Sequence, residues 1–162
     1  MPANEDDARQ LLRTATGNPE CEFRDGQWQA IDALVNQRKR ALVIQSTSWG
    51  KSMVYFIATW LLRNSGAGPT VVISPLLALM RDQVASAKKV GLRAVTLNSS
   101  NEDEHVEIRA NILADKVDLI LLSPEKLAND QFVAENITPI SDRIGLLVVD
   151  EAHVNAGVKL RH

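Results

Sequence analysis

Five short apolar runs constrain this chain more than any other feature: residues 41–44, 70–73, 94–97, 117–122 and 144–149, rich in β-branched side chains and almost unbroken by polar ones. A strand with one wet face alternates apolar and polar residues. A continuous run means two dry faces, the condition of strands in a parallel sheet covered by helices on both sides. The segments between the runs have helical spacing. Residues 27–38 carry Trp28, Ile31, Leu34 and Val35, and residues 52–63 carry Val54, Ile57, Ala58 and Leu61. Residues 76–90 and 102–113 complete the set, the second opening on Glu102 and Asp103 at the positive end of its helix dipole. Within that charged helix His105 reads as solvated surface. Strand and helix alternate throughout. The expectation is an α/β fold, a parallel β-sheet flanked by helices with right-handed crossovers, and any ligand sits at the carboxyl ends of the strands.

A length of 162 residues with 45% apolar content suits one domain with a sizeable core. The formal net charge of −2 gives no bulk attraction for nucleic acid, although a local basic groove is enough to bind it. Cys21 is the single cysteine, which excludes an intrachain disulfide and a cysteine-rich zinc site, and it reads as a small, partly buried thiol. The first seven residues are acidic and polar, unlike a secretory signal, and no apolar stretch approaches the ~20 residues that span a bilayer. A cytoplasmic chain with no membrane partner is expected. It divides into a polar N-terminal segment, 1–19, a main domain, 20–153, and a tail, 154–162.

Two segments carry chemistry. Between the first run and the second helix stands Gln-Ser-Thr-Ser-Trp-Gly-Lys-Ser, residues 45–52. A Gly-Lys-Ser turn between strand and helix offers backbone N–H groups, an ammonium and a hydroxyl to a polyphosphate and its Mg²⁺. Thr47, Ser48, Trp49 and Gly50 would form the cradle, Lys51 would neutralise the outer phosphates, and Ser52 would ligate the metal. The fifth run delivers Asp150 and Glu151, followed by Ala152 and His153. Two neighbouring carboxylates at the end of a dry strand are costly unless a cation or water satisfies them. Asp150 is suited to hold Mg²⁺, Glu151 to polarise an attacking water, and His153 to pass on the nucleotide state by hydrogen bonding.

Four blocks fall in order around these segments. Phe23-Arg24-Asp-Gly-Gln27 precedes the phosphate loop, Ser74-Pro75-Leu76 through Arg81-Asp-Gln83 follows the second run, Ser123-Pro124-Glu125-Lys-Leu127 follows the fourth, and Asp-Glu-Ala-His ends the fifth. From about residue 23 to 153 the chain resembles the first RecA-like, P-loop domain of a superfamily 2 DEAD/DEAH-box helicase, and within that group the RecQ-type ATP-dependent DNA helicases. The resemblance implies the cofactors ATP and Mg²⁺, a single-stranded or forked DNA partner, and a second RecA-like domain. It also implies that Gln27 reads the adenine edge, that Phe23 and Arg24 flank the base, and that Ser74, Pro75 and Leu76 touch a nucleic-acid backbone. Asn98 and Ser99, with Ser123, Pro124 and Glu125, would line the same track. Arg81 belongs either to that track or to the solvated surface of its helix.

Departures from the family pattern are also legible. Glu20 stands where RecQ-type helicases commonly have an aromatic that stacks on adenine. Ser48 and Trp49 occupy places where glycine gives a phosphate loop its freedom, and residues 154–162 do not follow the family's aromatic-rich loop. The residues leave open an RNA-directed helicase using the same domain, and a nucleotide-binding switch or scaffold that no longer hydrolyses.

Overall fold

The computed structural model describes residues 4–24, 26–36, 41–44, 51–74, 77–98 and 101–150; for 41–44, 51–52, 77–79 and 150 it describes the backbone alone. The five apolar runs form five strands, β1 (Ala41–Ile44), β2 (Thr70–Ile73), β3 (Ala94–Leu97), β4 (Leu119–Leu122) and β5 (Leu146–Asp150). They pair in parallel in the order β1-β5-β2-β4-β3. Two strands begin two residues later than their apolar runs. Asp118 is drawn into ion pairs before β4, and Gly145 donates its N–H to the Pro69 carbonyl (2.9 Å) at the approach to β5.

Helices α1 (Glu5–Thr16), α2 (Gln27–Val35), α3 (Lys51–Asn64), α4 (Leu77–Lys89), α5 (His105–Leu113), α6 (Pro124–Leu127) and α7 (Asp130–Asn136) cover the sheet. Successive side chains of a strand point to opposite faces, so each dry run feeds two cores. Val72, Leu121 and Val148 pack with buried residues of α1 to α4, including Phe56 and Ile57. Val71, Ile73, Ile120, Leu122 and Val149 pack on the opposite face with Ile112, Phe132 and Ile140. This two-sided burial is the physical reason that the runs lack alternation.

The N-terminal polar segment contains a helix that the sequence reading left unassigned. Asn4 caps α1 by accepting the Asp7 N–H (2.8 Å), three acidic residues occupy its first turn, and Ala8 and Leu12 are buried in the first core. Residues 124–143 likewise hold α6, α7 and a 3-10 segment, Thr138–Arg143, instead of one long connection. The charged start at 102–104 is a 3-10 turn leading into α5.

At the amino ends of the strands lies an ion-pair network. Arg63 Nε donates to Asp118 Oδ1 (2.7 Å), Arg93 NH2 donates to the same oxygen (3.0 Å), and Arg63 NH1 donates to Asp115 Oδ1 (2.9 Å). Burial pushes the Asp118 carboxyl up, but hydrogen bonds from the Arg93 side chain and backbone and from Arg63 outweigh it and hold the group below the usual carboxylate range. The Arg93 guanidinium is raised in turn, chiefly by its hydrogen bond to Asp118. The network clips the end of α3 to the starts of β3 and β4. It lines a cavity of about 380 Å³ at the amino ends of the strands, away from the carboxyl edge where the candidate site residues gather.

Candidate functional site

Five strand ends define the carboxyl edge. β1 and β5 are neighbours with Ile44 opposite Asp150, so the chain leaves for the 45–50 connection beside the candidate metal ligand. That connection ends at Lys51 and Ser52, the first two residues of the 14-residue helix α3. An α3 N-terminus with unpaired N–H groups and partial positive charge thus stands over the same two strands as the Asp150 backbone. Thr47, Ser48, Trp49, Gly50, Glu151 and His153 lie outside the described residues.

Gln27 opens α2 and is buried, with its Oε1 accepting the Arg24 N–H at 2.8 Å. The preceding Gly26 has φ +85°, a left-handed conformation that glycine adopts without Cβ strain and that turns the chain sharply from Arg24 to Gln27. Phe23 is partly buried against the first core, its ring centroid 6.3 Å from that of Trp28, while Arg24 is exposed. The Phe23-Arg24 pair and the Gln27 amide are therefore set by one closed turn.

The other candidate positions follow β2, β4 and β3, which are adjacent in that order. Ser74 and Ser123 are both buried; the Ser74 N–H donates to the Leu122 carbonyl (2.9 Å), which brings these two strand ends side by side. Pro124 opens the short helix α6, and the Ser123 hydroxyl lies 3.5 Å from Glu125 Oε1. Asn98 is buried with its amide nitrogen against Met80 Sδ (3.6 Å) and Thr96 Oγ1 (3.5 Å). Its side chain is thus turned inward. Arg81 is exposed on α4 and lines a groove of about 480 Å³ with Met80, Thr96, Asn98, Asn101 and Glu104. Pro75, Leu76 and Ser99 lie outside the described residues.

His105 corrects the sequence expectation of a solvated histidine. It is 8% exposed, and its Nε2 lies 3.0 Å from both the Asn98 carbonyl and Asn101 Oδ1. Both neighbours are acceptors, so Nε2 carries the proton. Its ring meets Phe132 edge-on, with centroids 6.0 Å apart. The partners are 7 and 27 residues away in sequence, beyond the reach of a helical-periodicity reading.

The fold and the gathering of these positions at one sheet edge define a parallel α/β domain in which a strand-to-helix connection and an acidic strand end meet. Residues 24–161 match the family model of the DEAD/DEAH box helicase, and the chain belongs to that family. It is 34% identical over 133 residues to an ATP-dependent DNA helicase RecQ of Bacillus subtilis (strain 168), covering 82% of this chain and 21% of that protein. It is 32% identical over 151 residues to ATP-dependent DNA helicase Q-like 5 of Arabidopsis thaliana, covering 93% of this chain and 16% of that protein. The chain therefore spans about a fifth of the length of such relatives. Among solved structures, the DUF1998 helicase MrfA has the same fold, with a TM-score of 0.66 at 14% identity over 93% of this chain and 24% of that one. Among the described residues no helix is long and apolar enough to cross a membrane.

Proposed function

We propose that this chain is the nucleotide-binding, N-terminal part of an ATP-dependent DNA helicase, using Mg·ATP hydrolysis to separate strands. The single observation that supports this reading best is the register of Ile44 with Asp150 beside the α3 N-terminus. A polyphosphate would take the helix dipole and the Lys51 ammonium, and Mg²⁺ would take the Ser52 hydroxyl and the Asp150 carboxylate. Glu151 would orient the water, and His153 would link that step to the rest of the motor. Gln27 suits adenine because an amide carries both donor and acceptor, and an oxygen already accepting one N–H keeps a second lone pair.

Single-stranded DNA would cross the ends of β2, β4 and β3, beside Ser74, Ser123 and Asn98, with Arg81 flanking the track. Catalysis of phosphoryl transfer is mainly positioning and charge stabilisation, often completed by an arginine from another domain. A second RecA-like domain is the partner this reading requires, and the 162-residue chain alone is expected to bind nucleotide weakly and hydrolyse it very slowly.

The test is titration of the chain with a fluorescent ATP analogue and Mg²⁺ beside Lys51→Ala and Gln27→Ala. Binding that both substitutions weaken supports the reading. A folded wild-type chain that does not bind, in a full-length protein that also fails to bind, overturns it in favour of a scaffold that keeps the fold without the chemistry.

A further inference from the structure

The ends of β3 and β4 are neighbours, with Leu97 opposite Leu122, yet the segments that follow them diverge: 98–104 turns back into α5, and 123–127 runs into α6. Side chains tie the two segments together again. Asn101 closes the first turn, its Oδ1 accepting the Asn98 N–H (3.0 Å) and its Nδ2 donating to the Thr96 carbonyl (2.7 Å). His105 Nε2 then donates to the Asn98 carbonyl and to the same Asn101 oxygen. The imidazole meets the edge of Phe132 on α7, and the Lys126 ammonium stands 5.5 Å from the centroid of that ring. Lys126 completes the circuit by pairing with Glu102 (3.1 Å), on the first segment.

We propose that His105, Phe132 and the Glu102–Lys126 pair form a brace that holds the 98–101 and 123–126 segments at one spacing, so that both can engage the backbone of a single nucleic-acid strand. The inference rests on the nucleic-acid track described above and assigns positioning residues to it. A buried imidazole in an apolar cluster costs stability unless its donor is used, and here both of the oxygens it faces belong to the 98–101 turn. The Lys126 side chain is only 12% exposed although it sits in the β4–α6 segment. Its charge is spent on Glu102 and the Phe132 ring, which makes it a tie between segments and not a free phosphate ligand. Successive phosphates of an extended strand have a fixed repeat, so the spacing of the two segments decides whether both are engaged.

The test uses the full-length protein and reads the single-stranded DNA concentration for half-maximal stimulation of ATP hydrolysis. Glu102→Lys adds positive charge, which by bulk electrostatics alone would tighten DNA binding. The brace predicts the opposite: the half-maximal concentration rises about three- to fivefold, the scale of one partly exposed ion pair, with the KM for ATP and the DNA-free rate unchanged. Lys126→Glu does the same, and the double reversal restores the wild-type value. His105→Leu also raises the half-maximal concentration, and His105→Gln, which keeps a donor, recovers most of it.

Tighter DNA binding by Glu102→Lys, or failure of the double reversal to restore it, overturns the brace; the latter would make Lys126 a direct phosphate ligand. Wild-type hydrolysis that does not respond to DNA would overturn the nucleic-acid track itself. DNA-responsive wild type with unaltered brace variants would overturn the brace alone.

Discussion

Ile44 and Asp150 are in-register partners at the carboxyl ends of β1 and β5. Adjacent strands lie about 4.8 Å apart, so a sequence separation of more than a hundred residues collapses to one strand spacing. The chain that runs on from Ile44 re-emerges as α3 with Lys51 and Ser52 in its first turn. The candidate phosphate and metal ligands are thereby gathered by sheet pairing, whose register is set by the dry faces of both strands.

This arrangement predicts separate effects for the two acidic residues in the full-length protein. Glu151→Gln should lower the hydrolysis rate by roughly 10²-fold or more, the scale of a lost general base, with binding of the fluorescent ATP analogue retained. Asp150→Ala should weaken the Mg²⁺ dependence of binding as well. Equal loss of binding in both variants would argue against separate metal and water roles.

The Asp118 network predicts acid sensitivity. Asp118 has its folded pKa below its unfolded value, so its contribution is full above the unfolded value and is lost as pH falls through the folded one. Stability should decline on acidification below the ordinary carboxylate range, and Asp118→Asn should flatten that decline. The substitution should also cost about 1–3 kcal/mol near neutral pH, less than for a fully buried pair because Arg93 is half in solvent. Urea unfolding of both proteins across a pH series gives the answer.

Gly68 predicts a steric effect. A Cβ there would collide with the Arg143 carbonyl where the α3–β2 connection crosses the approach to β5. Gly68→Ala should destabilise by about 1–3 kcal/mol, the usual cost of overpacking. A melting temperature equal to that of wild type would show that the crossing relaxes freely.

Helix α1 predicts a packing effect from the polar N-terminus. Leu12 is 3% exposed in the first core, and α1 packs on α3 and α4. Leu12→Ala should cost about 2–4 kcal/mol, as for other large-to-small core changes. Removal of residues 1–19 should lower the unfolding midpoint by at least as much; an unchanged midpoint would make α1 an appendage.

The five strands, four of the helices and the gathering of candidate residues at strand ends were legible in the sequence. Each depends on information local to one segment: two dry faces write a continuous apolar run, one dry stripe writes helical spacing, and a ligand edge follows from parallel order. Short elements were less legible. α6 has four residues and α7 seven, too few for periodicity to emerge, and α1 shows only a narrow apolar stripe, Ala8 and Leu12, among charged neighbours.

Tertiary structure alone decided what depends on distance. Arg63 and Asp118 are 55 residues apart in sequence and 2.7 Å apart in space. His105 reads as one more polar residue in a charged helix, and only the return of α7 and the turn at Asn98 make it a buried donor. Burial pattern is written into a segment's own residues, whereas the partner of a buried polar group is chosen by chain crossings that no single segment encodes.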